Sequence, residues 1–380
     1  MAWRYLASRL HGDGTETLLH PDLPLRDVAI TNVLSGPNAL TATITPAALS
    51  LLGNAVDGLP LFEEWSTVLY AEEDNILRGA GILTNSGISG PALSLSCLGF
   101  IGALKGQPYE GARFFVETEV LDIARHIIDH WQGMPGGNLG LVLDRTTRTG
   151  KKIGTKLDQV EFDTQNGPVS FEAGPYKLAD YMTDDLAGAV DSLATDYDFD
   201  YRETHAWSGS GDNITHRLDF GAPRIGTRRK DIRFVVGENV WVPPSTEVPL
   251  DAYASGVLVR GAGDGPTMKR KMIPRSGERR LRRITIVEDK NLKSDAAVAQ
   301  RGNALLPLLT GQSDITELTV ADHEHAPLGS WVEGDEVEAL TYDEWTGDGA
   351  MWLRILSTTI KPEEAGVATV AVMRADKIPS

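Results

Sequence analysis

Residues 327–337 read PLGSWVEGDEV, and they follow a run in which strand, helix and compact β segment succeed one another. Upstream, the pattern at 281–287 predicts a strand, and Ser294 caps an alanine-rich helix at 294–306 that Pro307 stops. Alternation at 315–320 predicts another strand. Nothing in this stretch has the composition of a catalytic site.

The pattern continues outward toward the N-terminus. Trp3, Tyr5 and Ala7 alternate with polar neighbours, as do Val28 and Ile30, and Leu40, Ala42 and Ile44. Turn signals at 12–14, 35–38 and 57–58 separate them, and a hairpin is expected at 65–69 and 76–83 around residues 72–75. The first helix is expected at 119–131, capped by Thr118 and striped by Leu121, Ala124, Ile128 and Trp131; a buried strand is expected at 139–143. A second helix is expected at 184–194, capped by Thr183, with Leu186, Ala189, Val190 and Leu193 on one face. Tyr197, Phe199 and Tyr201 then alternate with Asp196, Asp198 and Asp200, which predicts a half-buried strand. A turn at 209–213 leads into 214–220, and further strands are expected at 232–236 and 256–260.

A chain of 380 residues exceeds one ordinary core, so two to four domains are expected. With 39 Gly and 20 Pro, a turn-rich, β-dominated chain is expected. The single cysteine, Cys97, excludes an internal disulfide framework and any zinc site of several thiolates; in its apolar run it reads as a small buried hydrophobe. No apolar run approaches the roughly 18 residues of a membrane span, and residues 1–6 carry no secretory pattern, so cytoplasmic synthesis and solubility are expected. The formal net charge of −17 argues against general nucleic-acid binding, because phosphate is repelled. Two basic segments interrupt it. Lys269, Arg270, Lys271, Arg275, Arg279, Arg280, Arg282 and Arg283 face only Glu278 among acids; Arg224, Arg228, Arg229, Lys230 and Arg233 form a second knot. Each could dock an acidic partner, bind nucleic acid, or lie in solvent.

Candidate chemistry is thin. His126 and His130 lie four apart on the first helix, but Ile127 stands where a zinc protease has its glutamate. His323 and His325, within Asp322-His323-Glu324-His325, suit a metal, yet no third ligand is identifiable along the chain. There is no nucleophile elbow, and the sequence at 150–152 lacks the rest of a phosphate loop. The glycine-rich 261–265 opens no expected helix. Glu63-Glu64 read as solvated residues and Asp184-Asp185 as the first turn of the second helix. No catalytic, cofactor or metal residue is therefore assigned, and no cofactor is expected.

Residues 251–260, 283–289, 294–306, 327–337 and 345–356, in that order, resemble a minor tail protein of long-tailed actinobacterial phages (siphophages), of the baseplate-hub or tail-associated hub family. That family often ends in a strand, an alanine-rich helix and a small barrel with a Gly-Asp-x-Val turn, here Gly334-Asp335-Glu336-Val337. The resemblance implies an α+β, mainly β, multidomain hub with two tube-like β-barrel domains and inserted α/β domains. Mapped here, it gives a first tube-like domain at 1–107, middle α/β domains at 108–230, and a discontinuous second tube domain at 231–262 and 313–380. A basic loop and helix at 263–312 is inserted in the second. It implies a homotrimer at the virion tail tip, assembled in the host cytoplasm. Its partners would be a distal tail protein ring, the tape-measure protein C-terminus and a central fibre or spike protein. DNA would pass through an acid-lined channel without specific binding. The chain stops at Ser380 without room for a lytic extension, so no enzyme is expected. The alternatives are a cell-wall hydrolase using His323 and His325, or a carbohydrate- or receptor-binding tail module using Trp345 or Trp352.

Overall fold

Alternating apolar residues dominate the strands, and the computed structural model is accordingly mainly β, 45% strand and 17% helix. It describes residues 2–375 apart from 53–54, 155–157, 165–166, 210, 212, 245, 249, 264, 278, 290–291, 293, 312–313, 344–346 and 365. Ser210 and Asp212 of the expected turn, with Asp264, Glu278, Trp345 and Ser380, lie outside the described residues.

Twelve strands form one large sheet. Its N-terminal half runs Arg26–Val33, Ala39–Ile44, Ala92–Leu98, Ile76–Ser89, Thr67–Glu73, Trp3–Leu10, Glu16–His20, with every pair antiparallel. The expected hairpin is present, turned at Asp74 and Asn75, both at positive φ (47° and 67°), as a two-residue hairpin prefers. Thr67–Glu73 shows no alternation because all seven residues are buried. Leu6, Val68, Tyr70 and Ile82 face one core, and Ala7, Leu69, Ala71 and Leu83 face another. Each fully buried leucine contributes roughly 1.5–3 kcal/mol.

The first of those cores is shared with the middle of the chain, where two helices, α2 (Val120–Gln132) and α3 (Leu186–Tyr197), supply Leu121, Ile123, Ile127, Leu186 and Val190. A short helix preceding them, α1 (Pro46–Leu52), fully buries no residue and packs Ala48, Leu49 and Leu52 on the second core. The caps differ from expectation: Glu119 accepts from the Asp122 N–H and Asp185 from the Gly188 N–H, one or two residues beyond Thr118 and Thr183. α3 also runs on through Tyr197. Asp198 then takes the left-handed conformation (φ 54°), so the expected strand starts only at Asp200. Asp200–Trp207 pairs with Ile214–Gly221 as expected, and Leu141–Leu143 lies parallel to the latter.

The C-terminal half of the sheet comprises Arg228–Val235, Glu317–Ala321, Glu336–Asp343, Gly347–Ile360 and Val367–Arg374. Its core holds Phe234, Leu318, Trp331, Val337, Leu353, Ile355 and Val370. Between its segments sits a smaller three-stranded sheet, Gly256–Arg260 flanked by Arg270–Pro274 and Ile284–Glu288, covered by α4 (Asp295–Leu305). Val257, Val259 and Val298 are its buried centre, and Ser294 caps α4 as read from sequence. None of the sheets closes on itself, so the expected barrels are not closed ones among the described residues. The reason is visible at one edge. Arg26–Val33, which would have to meet the far strand of its own half to close it, pairs instead with Gly347–Ile360.

Candidate functional site

Strand Gly347–Ile360 pairs over 347–354 with Glu336–Asp343, over 353–360 with Val367–Arg374, and over 357–360 with Arg26–Val33. It thereby welds the two halves of the sheet. Leu356 sits at a register shift, and its carbonyl accepts from the Leu34 N–H at 2.8 Å. Thr31 and Thr359 face each other and share a hydroxyl hydrogen bond of 2.9 Å. The Glu363 carboxylate accepts from the Asp27 N–H at 2.9 Å.

The 327–337 stretch is the second component of this joint. Gly329, at φ +84°, lies against the Arg78 guanidinium, whose Nε donates to Glu73 at 2.9 Å. A Cβ at Gly329 would come within 2.1 Å of Arg78 Nη1, the movable end of a long side chain, so it is the left-handed backbone that favours glycine here. Trp331 fills the core edge-on to Phe234, with ring centroids 5.3 Å apart. Gly334 (φ +97°) packs on the Ile225 backbone, and Asp335 accepts from the Thr227 N–H at 3.0 Å. The expected Gly-Asp turn is thus also a clasp on residues 225–229.

Arg354 completes the joint from below the sheet. Its buried guanidinium donates to the Asp200 carboxylate, to the Ile225 carbonyl at 3.0 Å and to the Gly334 carbonyl at 3.3 Å. Asp200 also accepts from the Ile225 N–H at 2.8 Å. Arg202 Nη1 donates to the Glu333 carbonyl at 2.8 Å, and burial raises the Glu333 carboxyl above its ordinary range. Four stretches of the chain, at Arg78, Arg202, residues 225–229 and Arg354, therefore converge on 327–337. Sequence reasoning missed Arg78, Asp200, Arg202 and Arg354, because each reads alone as an ordinary surface charge.

A second buried polar chain joins the N-terminal half to the middle. Glu203 accepts from the Phe100 and Ile101 N–H groups, at 3.0 and 2.5 Å, at the start of a 3-10 turn. Burial nonetheless raises its pKa to about 7. His205, 3.9 Å away, is pushed down to about 3 by burial and then by His216. His216 reaches Glu16 at 2.7 Å.

The residues singled out from sequence are dispersed. His126 accepts or donates at Tyr109 Oη (2.9 Å), and His130 stacks on the Tyr109 ring (4.1 Å); burial lowers both pKa values. Cys97 is buried, its thiol pushed up to about 12. Lys151 ties to the Tyr197 carbonyl and Asp198 at the end of α3. Gly265–Thr267 after the glycine run is one 3-10 turn, not a helix that could cradle phosphate. Glu63 pairs with Arg9, Glu64 accepts from Ser86, and Asp185 caps α3. Trp352 lies under the Arg228 guanidinium at 4.7 Å. Within the basic segment, Arg270–Pro274 is an edge strand of the inserted sheet, and in the basic knot Arg224 and Arg228 both pair with Glu336. His323 and His325 face each other on one exposed turn, ring centroids 5.0 Å apart. No nucleophile–base pair is built among these residues.

No family model matches the chain, and no curated protein does. Solved structures do match along its whole length. The 43 kDa tail protein of prophage MuSo2 from Shewanella oneidensis is 14% identical over 99% of both chains, with TM-score 0.56. A tail protein from Neisseria meningitidis MC58 is 16% identical over 99% of this chain and 98% of its own, TM-score 0.55. Prophage tail protein gp18 from Listeria monocytogenes EGD-e is 9% identical over 99% and 95%, TM-score 0.56. At these identities the likeness is one of fold, and the fold is that of phage tail proteins.

Proposed function

We propose that this chain is a structural hub at the tail tip of a long-tailed phage, and not an enzyme. The observation that carries the reading is the edge-to-edge union of two half-sheets through Arg26–Val33 and Gly347–Ile360. With two half-sheets per chain, a homotrimer would set six in a ring. Such a ring would match a distal tail protein ring on one side and a central fibre or spike protein on the other. It would also meet the C-terminus of the tape-measure protein. The siphophage and actinobacterial assignment, the virion location and assembly in the host cytoplasm belong to the same reading. So does the division into domains at 1–107, 108–230 and a second tube domain at 231–262 and 313–380, interrupted by the insertion at 263–312. Thr246–Glu247 pairs with Asp314–Ile315, and Gly256–Arg260, which that division gives to the tube domain, pairs with Arg270–Pro274 and Ile284–Glu288 of the insertion.

A net charge of −17 suits the role, because an acidic wall lets DNA slide past without sticking. Native mass measurement tests it: the expected species is three times the 41.1 kDa chain. A stable monomer that hydrolyses cell wall would overturn it.

One observation favours a second reading, a carbohydrate- or receptor-binding tail module. Trp65 (58% exposed, φ 62°) and Trp131 line a groove of about 320 Å³ with His11, Gln107 and Asn138. Aromatic faces beside amide groups suit a sugar ring. Binding of the chain to isolated cell walls, abolished by Trp65→Ala, would favour this reading over the hub.

A further inference from the structure

The third ligand that the sequence could not supply to His323 and His325 is present in the fold. Glu238, eighty-five residues upstream, brings its carboxylate to the same spot. One ligand atom from each of Glu238, His323 and His325 lies within 4.8 Å of the other two. Among the described residues this is the one such group of three. His325 Nδ1 is already 3.6 Å from Glu238 Oε2. Four ligands around a zinc ion at about 2.0–2.1 Å are separated by about 3.4 Å, so small side-chain rotations suffice.

The backbone that carries the three residues is held independently of them. His323 to Ala326 form a hydrogen-bonded turn, closed by the Ala326 N–H to the His323 carbonyl at 2.9 Å. Glu238 sits in a second turn, between Val235 and Val240. The two turns are locked together by Asn239, which is 0% exposed. Its amide accepts from the Val235 N–H (2.7 Å) and donates to the Arg233 carbonyl (2.8 Å), and its own carbonyl accepts from the Ala321 N–H (2.7 Å). The Arg233 N–H also reaches the His325 carbonyl at 3.2 Å. Only side chains need move, and they are free to: His325 and Glu238 are each about half exposed (57% and 51%). His323 Nδ1 accepts from the His325 N–H at 3.2 Å, a bond the ring exchanges if it ligates through that nitrogen.

We infer that Glu238, His323 and His325 form a surface site for a divalent transition metal, zinc by its donor set, with water in the fourth position. Two imidazoles and one carboxylate select zinc over magnesium or calcium, which take oxygen ligands. The ion staples two turns that flank the inserted unit in sequence, so its role is to stiffen that end of the C-terminal half-sheet. Unlike the hub reading, this site requires no partner.

The test uses the full chain without a histidine tag, stripped with chelator and titrated with Zn²⁺ alone. One zinc per chain is expected, with Tm raised by about 3 °C at saturating metal. Cobalt substitution should give the intense visible absorption of a tetrahedral site. Glu238→Gln, His323→Ala and His325→Ala should each weaken zinc at least about tenfold, while Glu324→Gln, on the same turn, should not. Glu238, Glu324 and His325 are exposed and His323 is half-buried on the same turn, so circular dichroism should report unchanged folding. Absence of bound zinc, or affinity unmoved by all three ligand variants, overturns the site. Zinc-dependent cell-wall hydrolysis would uphold the site and overturn the non-enzymatic hub instead.

Discussion

Arg354→Met should loosen the joint more than any other single change at a charged residue. Methionine keeps most of the aliphatic volume but removes a guanidinium that serves three acceptors: Asp200, the Ile225 carbonyl and the Gly334 carbonyl. The ion pair is shielded, with side-chain exposures of 5% for Arg354 and 14% for Asp200. Deleting one member of a buried pair leaves the other uncompensated and costs about 3–5 kcal/mol, or roughly two to four decades in the folding equilibrium. Asp200 retains the Ile225 N–H at 2.8 Å, which places the expected loss at the lower end of that range. Urea unfolding followed by circular dichroism measures it. The double variant Asp200→Asn with Arg354→Met should be less destabilised than the two single losses added together, since no unpaired charge remains. A single-variant loss under about 1 kcal/mol, or strict additivity in the double variant, would refute the joint as described.

Three further outcomes are expected. Gly329→Ala should cost about 1–2 kcal/mol through its left-handed backbone alone, with a further loss from Arg78 that Arg78→Ala relieves; chemical denaturation of the three variants separates the two parts. Glu203 and His205 give opposite pH slopes. Glu203, raised from 4.5 to about 7, binds its proton more tightly when folded, so its stabilisation falls as pH rises across that window. His205, lowered from 6.5 to about 3, is proton-free when folded, so its stabilisation rises with pH from about 3 to 6.5. Glu203→Gln should remove the falling limb, and urea midpoints should then climb from pH 4.5 to 6.5; a flat profile in the variant would contradict this. Cys97, its thiol pushed up to about 12 and buried, should resist iodoacetamide at neutral pH until denaturant is added, and brisk labelling of folded protein would count against its burial.

Local chemistry was legible where neighbours in sequence decide it. Ser294 capping α4, the Asp74-Asn75 hairpin and the strand Gly256–Arg260 were read from propensity, turn chemistry and alternation. Where two local readings competed, reading failed. The Tyr197, Phe199, Tyr201 alternation looked like a strand, but its first member ends α3, because a helical stripe and a strand stripe overlap over so few residues. Thr67–Glu73 lost its periodicity because both faces are covered, which no single stretch can announce.

Sequence by itself determined the mainly β character, the Ser294 cap, the strand Gly256–Arg260 and the burial of Cys97. These depend on backbone angles and side-chain burial within a few residues. Tertiary structure alone decided that Arg26–Val33 pairs with Gly347–Ile360, so that two half-sheets become one and neither closes. It alone brought Arg354 to Asp200 and Glu238 to His323 and His325. Such meetings depend on which of many strand edges and exposed charges come together across eighty or more residues. That choice is made by the packing of whole faces.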